Sequence, residues 1–202
     1  KSYTEPTDDS DSDNNTNLSV DFGLIRTLSI GNLVWEDNDN DGINNNGETG
    51  IDGIEVLLIS DGGDGIKGNN NDTILDSMLT VNGGLYLFDS LYPGEYYIKL
   101  NDGIPAGMHS STGEGTGIFT GLGSAEPAND PDATDTNDDD SGNQMNTGGL
   151  PMVMSDLVTL ELGAEPTDDG DADNQSNLAV DFGLYESLEI GNLVWEDLNN
   201  NG

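Results

Sequence analysis

One stretch of this chain occurs twice. Residues 5–42 read EPTDDSDSDNNTNLSVDFGLIRTLSIGNLVWEDNDNDG and residues 165–202 read EPTDDGDADNQSNLAVDFGLYESLEIGNLVWEDLNNNG, with 26 of 38 positions identical at an offset of 160 residues. Self-similarity at a fixed period is the mark of a tandem array. Whatever this chain folds into must therefore close within one such period and then begin again. The chain is expected to be a segment of a longer array, holding one full unit and an overlap into the next.

The repeat also suggests where a unit starts. Ser29–Glu36 alternates apolar and small or polar positions, with Ile30, Leu33, Val34 and Trp35, and reads as a first strand. Leu178–Leu184 (LAVDFGL), with an earlier copy at Leu18–Leu24, reads as the last strand of a unit. The expected division is residues 1–27 as the end of a preceding repeat, 28–186 as a complete domain and 187–202 as the start of the following one. About three residues then separate last and first strands, too few for a flexible tether.

Inside the unit, apolar residues gather in short runs between clusters of Asp, Asn and Gly. Ile54–Ser60 suits a strand buried on both faces. Asn82-Gly83 lies between Thr73–Val81 and Leu85–Phe88, the strongest short-range hairpin signal. Leu91-Tyr92-Pro93-Gly94 is a tight turn into Glu95–Leu100, where Tyr96, Ile98 and Leu100 share one face and Tyr97 and Lys99 the other. Leu157–Leu162 is another alternating run. Seven or so short strands and no helix-period segment predict an all-β antiparallel sandwich. Trp35 is expected in its core, and His109 in a loop.

Charge narrows the function. Asp and Glu number 40 against 4 Lys and Arg, a formal net charge of −36, and hydrophobic residues make up 33%. Low hydrophobicity with high net charge is also the signature of disorder, but the clustering of the apolar residues favours a fold. Four basic residues cannot neutralise a phosphate backbone, which excludes nucleic acid as a partner. No apolar run approaches the roughly 18 residues of a membrane span, so no insertion is expected. Without Cys there is neither a disulfide nor a thiolate metal site.

The acidic loops explain how such a chain could fold. From Asp37 to Glu48 the sequence is DNDNDGINNNGE, with oxygen-bearing side chains at positions 1, 3, 5, 9 and 12 and Gly42 at 6. That is the spacing of an EF-hand calcium loop. Asp37, Asp39, Asp41, Asn45, Glu48 and the carbonyl of Ile43 are the expected calcium ligands. Two features depart from an EF-hand. Asn44 stands at the usually apolar position 8, and a strand rather than a helix precedes the loop. Weaker candidates are Asp61, Asp64 and Asp72 in one stretch and Asp130, Asp132, Asp135, Asp138 and Asp140 in another. A third cluster, Asp8, Asp9, Asp11 and Asp13, recurs at Asp168, Asp169, Asp171 and Asp173.

The succession IGNLVWEDNDNDGINNNGETGIDGIEVLLISDG, GGLYLFDSLYPGEYYIKL and LAVDFGLYESLEIGNLVWED resembles the SdrD B-like domain family, the calcium-binding tandem repeats of bacterial serine-aspartate repeat surface adhesins, related in fold to Cna B-type domains. The resemblance covers nearly the whole unit from Ser29 to Glu186. It implies an immunoglobulin-like sandwich of the prealbumin type, calcium on the Asp37–Glu48 loop, and an extended stalk outside a bacterial cell. Neighbouring repeats of the same polypeptide are the expected partners, with lateral association into fibres a further expectation. Cna B-type domains often carry a Lys–Asn isopeptide that starts from a first-strand Lys. Ser29–Glu36 has none, so calcium is expected to supply the rigidity instead.

Three function classes compete. A calcium-stiffened structural repeat leads. A module binding a glycan, a protein or a mineral surface is the alternative, and a glycan array would separate the two. An enzyme is disfavoured: carboxylate pairs are inevitable among so many acids, and no Ser-His-Asp arrangement surrounds His109.

Overall fold

The computed structural model describes residues 20–45, 47–111, 140–147 and 150–186. Among them are eleven strands and no helix: β1 (Leu28–Glu36), β2 (Glu55–Ser60), β3 (Thr73–Leu79), β4 (Leu85–Leu91), β5 (Gly94–Asp102), β6 (Met108–Ser110), β7 (Asn143–Thr147), β8 (Leu150–Met154), β9 (Val158–Leu160), β10 (Ser176–Asn177) and β11 (Phe182–Glu186). The first sheet runs β4-β1-β11-β6, with β10 beside the start of β1; the second runs β3-β2-β5-β8-β7, with β9 on the first half of β5.

The two sheets face one another across one core. Ile30, Val34, Phe88, Phe182 and Leu184 from the first meet Val56, Leu58, Ile98, Leu100, Val153 and Leu160 from the second. This is the expected immunoglobulin-like β-sandwich, and Trp35 is fully buried in it. β2 is buried on both faces although the described residues form two sheets. Val56 and Leu58 enter the core, while Leu57 and Ile59 join Tyr97 and Met154 in a second cluster on the outer face. The loop 61–72 folds back toward that face. Its Lys67 ammonium donates to the Ser155 carbonyl at 2.7 Å and pairs with Asp156, and the Tyr97 hydroxyl donates to Asp72.

Several expectations change. The Asn82 turn forms, with Asn82, Gly83 and Gly84 at φ of 57°, 88° and 86° and mutual hydrogen bonds between Val81 and Leu85. It does not make a hairpin, however: β3 pairs with β2 and β4 with β1, so the turn carries the chain from one sheet to the other. LAVDFGL is not one strand. β10 ends at Asn177 and β11 begins at Phe182, both running parallel to β1. The register slips by one residue between Ser29↔Ser176 and Val34↔Phe182, and the Asp181 carboxylate fills the break. It accepts from the Leu33 amide and from Asn32 Nδ2, each at 3.0 Å. An otherwise antiparallel sandwich thus has parallel first and last strands. His109 lies on β6 rather than in a loop, its ring 6.0 Å from that of Tyr185.

Residues 20–25 have no strand partner among the described residues. Val20, Phe22 and Leu24 are 63%, 87% and 96% exposed, whereas their repeat counterparts Val180, Phe182 and Leu184 are fully buried.

Candidate metal centre

The main acidic loop leaves β1 at Glu36. Its base is closed by the Glu36 amide donating to the Thr49 carbonyl at 2.9 Å and Ile51 to Val34 at 2.8 Å. Within it the buried Asp37 carboxylate organises the turn. It accepts from the amides of Asn40 at 2.6 Å and Gly42 at 2.8 Å, and Gly42 takes the positive φ of 76° that this bend needs. Glu48, eleven residues on, returns to the start of the loop. Its Oε1 accepts from the Asn38 amide at 2.6 Å and its Oε2 from the Asn45 amide at 3.2 Å.

These folds bring three carboxylates together. Oxygens of Asp37, Asp39 and Glu48 lie within 4.8 Å of one another, the one acidic group of three that converges so closely among the described residues. Beside them the Asn45 Oδ1 is buried and meets no donor. A cluster of negative charge with an orphaned acceptor oxygen suits a hard cation that takes six to eight oxygens. The residues therefore fit calcium. Asp41, also expected here, turns to the loop itself: its Oδ1 accepts from the Ile43 amide and its Oδ2 from Asn45 Nδ2, each at 2.9 Å.

The weaker candidates separate. Asp61 is buried. Burial acts to raise its carboxyl, but hydrogen bonds from the amides of Gly63, Gly65 and Asp64 outweigh it and leave the group below its ordinary value. Asp64 accepts from the Ile66 amide, and Asp72 from Gly68, Asn69 and the Tyr97 hydroxyl. Burial, then the Asp72 bond and charge, push the Tyr97 phenol up to about 12. Asp130, Asp132, Asp135 and Asp138 lie outside the described residues, as do Asp8, Asp9, Asp11 and Asp13.

Asp140 braces the fold. Its Oδ1 accepts from Gly142 at 2.9 Å and Gly183 at 3.0 Å, while its amide donates to the Gly42 carbonyl at 2.8 Å, tying the main loop to β11. In the third cluster Asp169 is wholly buried, and burial raises its carboxyl, followed by the opposing Leu178 amide bond and the charge of Asp171. Sequence reasoning missed Asp181. The available signal was one acid within an apolar strand, present in both copies as Asp21 and Asp181.

The fold and loop define a two-sheet β repeat carrying an acidic loop of calcium-binding spacing. The chain belongs to the SdrD B-like domain family, whose profile matches residues 28–150. Serine-aspartate repeat-containing protein F of Staphylococcus epidermidis is 30% identical over 192 residues, covering 94% of this chain and 8% of that protein. Serine-aspartate repeat-containing protein D of Staphylococcus aureus strain Newman is 28% identical over 189 residues, 92% of this chain and 10% of that protein. Colossin-A of Dictyostelium discoideum is 28% identical over 188 residues, 93% of this chain and 1% of that protein. The chain thus spans a tenth or less of each of these relatives. Among solved structures, the full-length major pilin SpaD of Corynebacterium diphtheriae is similar with a TM-score of 0.42 and 12% identity, over 80% of this chain and 32% of that one.

Proposed function

We propose that this chain is a calcium-stabilised structural repeat in the rigid stalk of an exported bacterial surface adhesin, with its unit spanning residues 28–186. The observation that carries the calcium reading is the convergence of Asp37, Asp39 and Glu48 next to the orphaned Asn45 oxygen. Membership of the SdrD B-like family and similarity to staphylococcal serine-aspartate repeat proteins support the stalk and its place outside the cell. The unit boundary is supported by the contrast between exposed Phe22 and Leu24 and buried Phe182 and Leu184: the first pair awaits a sandwich of its own.

Chemically the chain's residues do one thing, which is to hold oxygen atoms in place. Asp37, Asp39 and Glu48 present carboxylates, Asn45 an amide oxygen, and the Asn40, Gly42, Asn38 and Asn45 amides fix their directions. A divalent cation there supplies the positive charge that the loop lacks and ties the end of β1 to the chain leading into β2. Calcium at a hundred times its dissociation constant would stabilise the fold by about 2.7 kcal/mol per site. Melting in EGTA and in millimolar calcium tests this: a higher melting temperature in calcium is expected, and identical curves would overturn the proposal.

A further inference from the structure

The turn that carries the chain from β3 to β4 contains the peptide Asn82–Gly83, and both residues are exposed. An asparagine followed by glycine is chemically fragile, because no Cβ on the second residue shields its amide nitrogen. The reaction is intramolecular. The Gly83 nitrogen attacks Asn82 Cγ; a Cγ–N bond forms, the Cγ–Nδ2 bond breaks, and Nδ2 leaves as ammonia with the proton that the Gly83 amide gave up. Water then opens the five-membered imide at one of its two carbonyls, leaving aspartate or isoaspartate. The sum is amide plus water giving acid plus ammonia, with no other reactant.

The structure acts on the first step. The Gly83 amide donates to Asp52 Oδ1 at 2.8 Å, and the Gly84 amide donates to the same oxygen at 2.8 Å. Attack requires the Asn82–Gly83 peptide to rotate until its nitrogen lies over Cγ, and the Asp52 bonds fix the orientation of that peptide. A carboxylate against the N–H also opposes loss of the proton, since the nitrogen anion would face a like charge. Nor can the turn swing away as a body. The Gly84 carbonyl accepts from the Val34 amide at 2.9 Å. A Cβ on Gly84 would run into the Val34 carbonyl, and one on Gly50 into the Gly83 carbonyl.

We infer that Asn82–Gly83 is a latent deamidation site and that Asp52 is the residue that holds it closed. The consequence of opening it reaches beyond the turn. Isoaspartate adds one carbon to a main chain whose ends are joined by the mutual Val81 and Leu85 bonds, each 2.9 Å, and whose flank has no room for it. The modified turn must give up its bond to Val34, whose carbonyl holds the Ile51 amide at the base of the main loop. Any effect on calcium rests on the function proposed above; the rate of deamidation does not.

The test is prolonged incubation of the whole chain at neutral pH, well below the melting temperature, with peptide mapping by mass spectrometry. Mapping is required because Asn46–Gly47 and Asn201–Gly202 share the dipeptide. In the folded chain, conversion at Asn82 is expected to be slower by at least about tenfold than in the same chain unfolded in guanidinium. Asp52→Ala, shown to be folded by circular dichroism, is expected to recover most of that rate. Gly183→Ala weakens the fold at the Trp35 pocket without touching the turn, and should convert Asn82 as slowly as the parent. Equal rates in the folded and unfolded chain, or an Asp52→Ala variant no faster than the parent, would overturn the inference. So would a Gly183→Ala variant as fast as Asp52→Ala, since general loosening rather than the Asp52 bonds would then set the rate.

Discussion

Glu48 and Asp52 stand four residues apart and both accept backbone amides, yet they act on different objects. Glu48 closes the acidic loop, whereas Asp52 Oδ1 accepts from the Gly83 and Gly84 amides, each at 2.8 Å, and so holds the turn between the sheets. Glu48→Gln and Asp37→Ala are expected to weaken calcium binding most. Asp52→Ala is expected to leave calcium affinity unchanged and to destabilise by about 1–3 kcal/mol, because two amides lose their acceptor. Calorimetric titration beside a thermal melt separates the two; equal losses of affinity would refute the ligand assignment. Tyr86 offers a test by pH. Burial, and then the charge of Asp181, push its phenol well above the ordinary value, and its hydroxyl donates to the Val180 carbonyl. A phenol whose folded value is raised contributes stability that is intact below the unfolded value of about 10 and is lost as pH climbs beyond it. Tyr86→Phe should therefore cost about 1 kcal/mol at neutral pH and flatten the decline above pH 10, read from urea midpoints.

Between elements, the decisive contact is that of β1 with β10 and β11. Lys67 and Lys99 lie away from β1, one in the 61–72 loop and one on β5 in the other sheet, so among the described residues no Lys is placed for a covalent bond there. Instead Asp181 spans the register slip to Leu33 and Asn32. Asp181→Ala is expected to destabilise by about 2–3 kcal/mol, since the Leu33 amide is left in the break without its acceptor, while Asp181→Asn retains one oxygen and should cost less. An intact mass equal to that of the sequence is expected; a deficit of one ammonia would show an isopeptide and displace calcium as the source of rigidity. Gly183 matters for a different reason. A Cβ there would lie 2.5 Å from Ser111 Oγ and 2.9 Å from Trp35 Cζ2, so Gly183→Ala should loosen the Trp35 pocket and lower the melting temperature.

For the molecule as a whole, the parallel order of first and last strands sends the chain in at one end and out at the other. Under the proposed reading, successive units follow one another lengthwise, as a stalk requires. A two-repeat protein is expected to scatter as an extended rod in calcium and as a more flexible particle in EGTA. Equal flexibility in both conditions would confine calcium to the inside of each unit and remove it from the joint.

Much of this was legible in the chain itself. The repeat gave the period. Alternation located β1, β5 and β9, because side-chain burial in a sandwich has a period of two that neighbouring residues display directly, and an unbroken apolar run located β2. The spacing of Asp37, Asp39 and Glu48 was likewise local, since twelve residues fold upon themselves. What the sequence could not show is pairing. The Asn82 turn is the same dipeptide whether the flanking strands join one sheet or two, and only the competition of β2 for β3 and of β1 for β4 sends them apart. The break in LAVDFGL, the brace at Asp140 and the bond from Asp181 to Leu33 join residues 40 to 150 positions apart. Such contacts depend on which strands become neighbours, and that is decided by how all the apolar faces are buried at once.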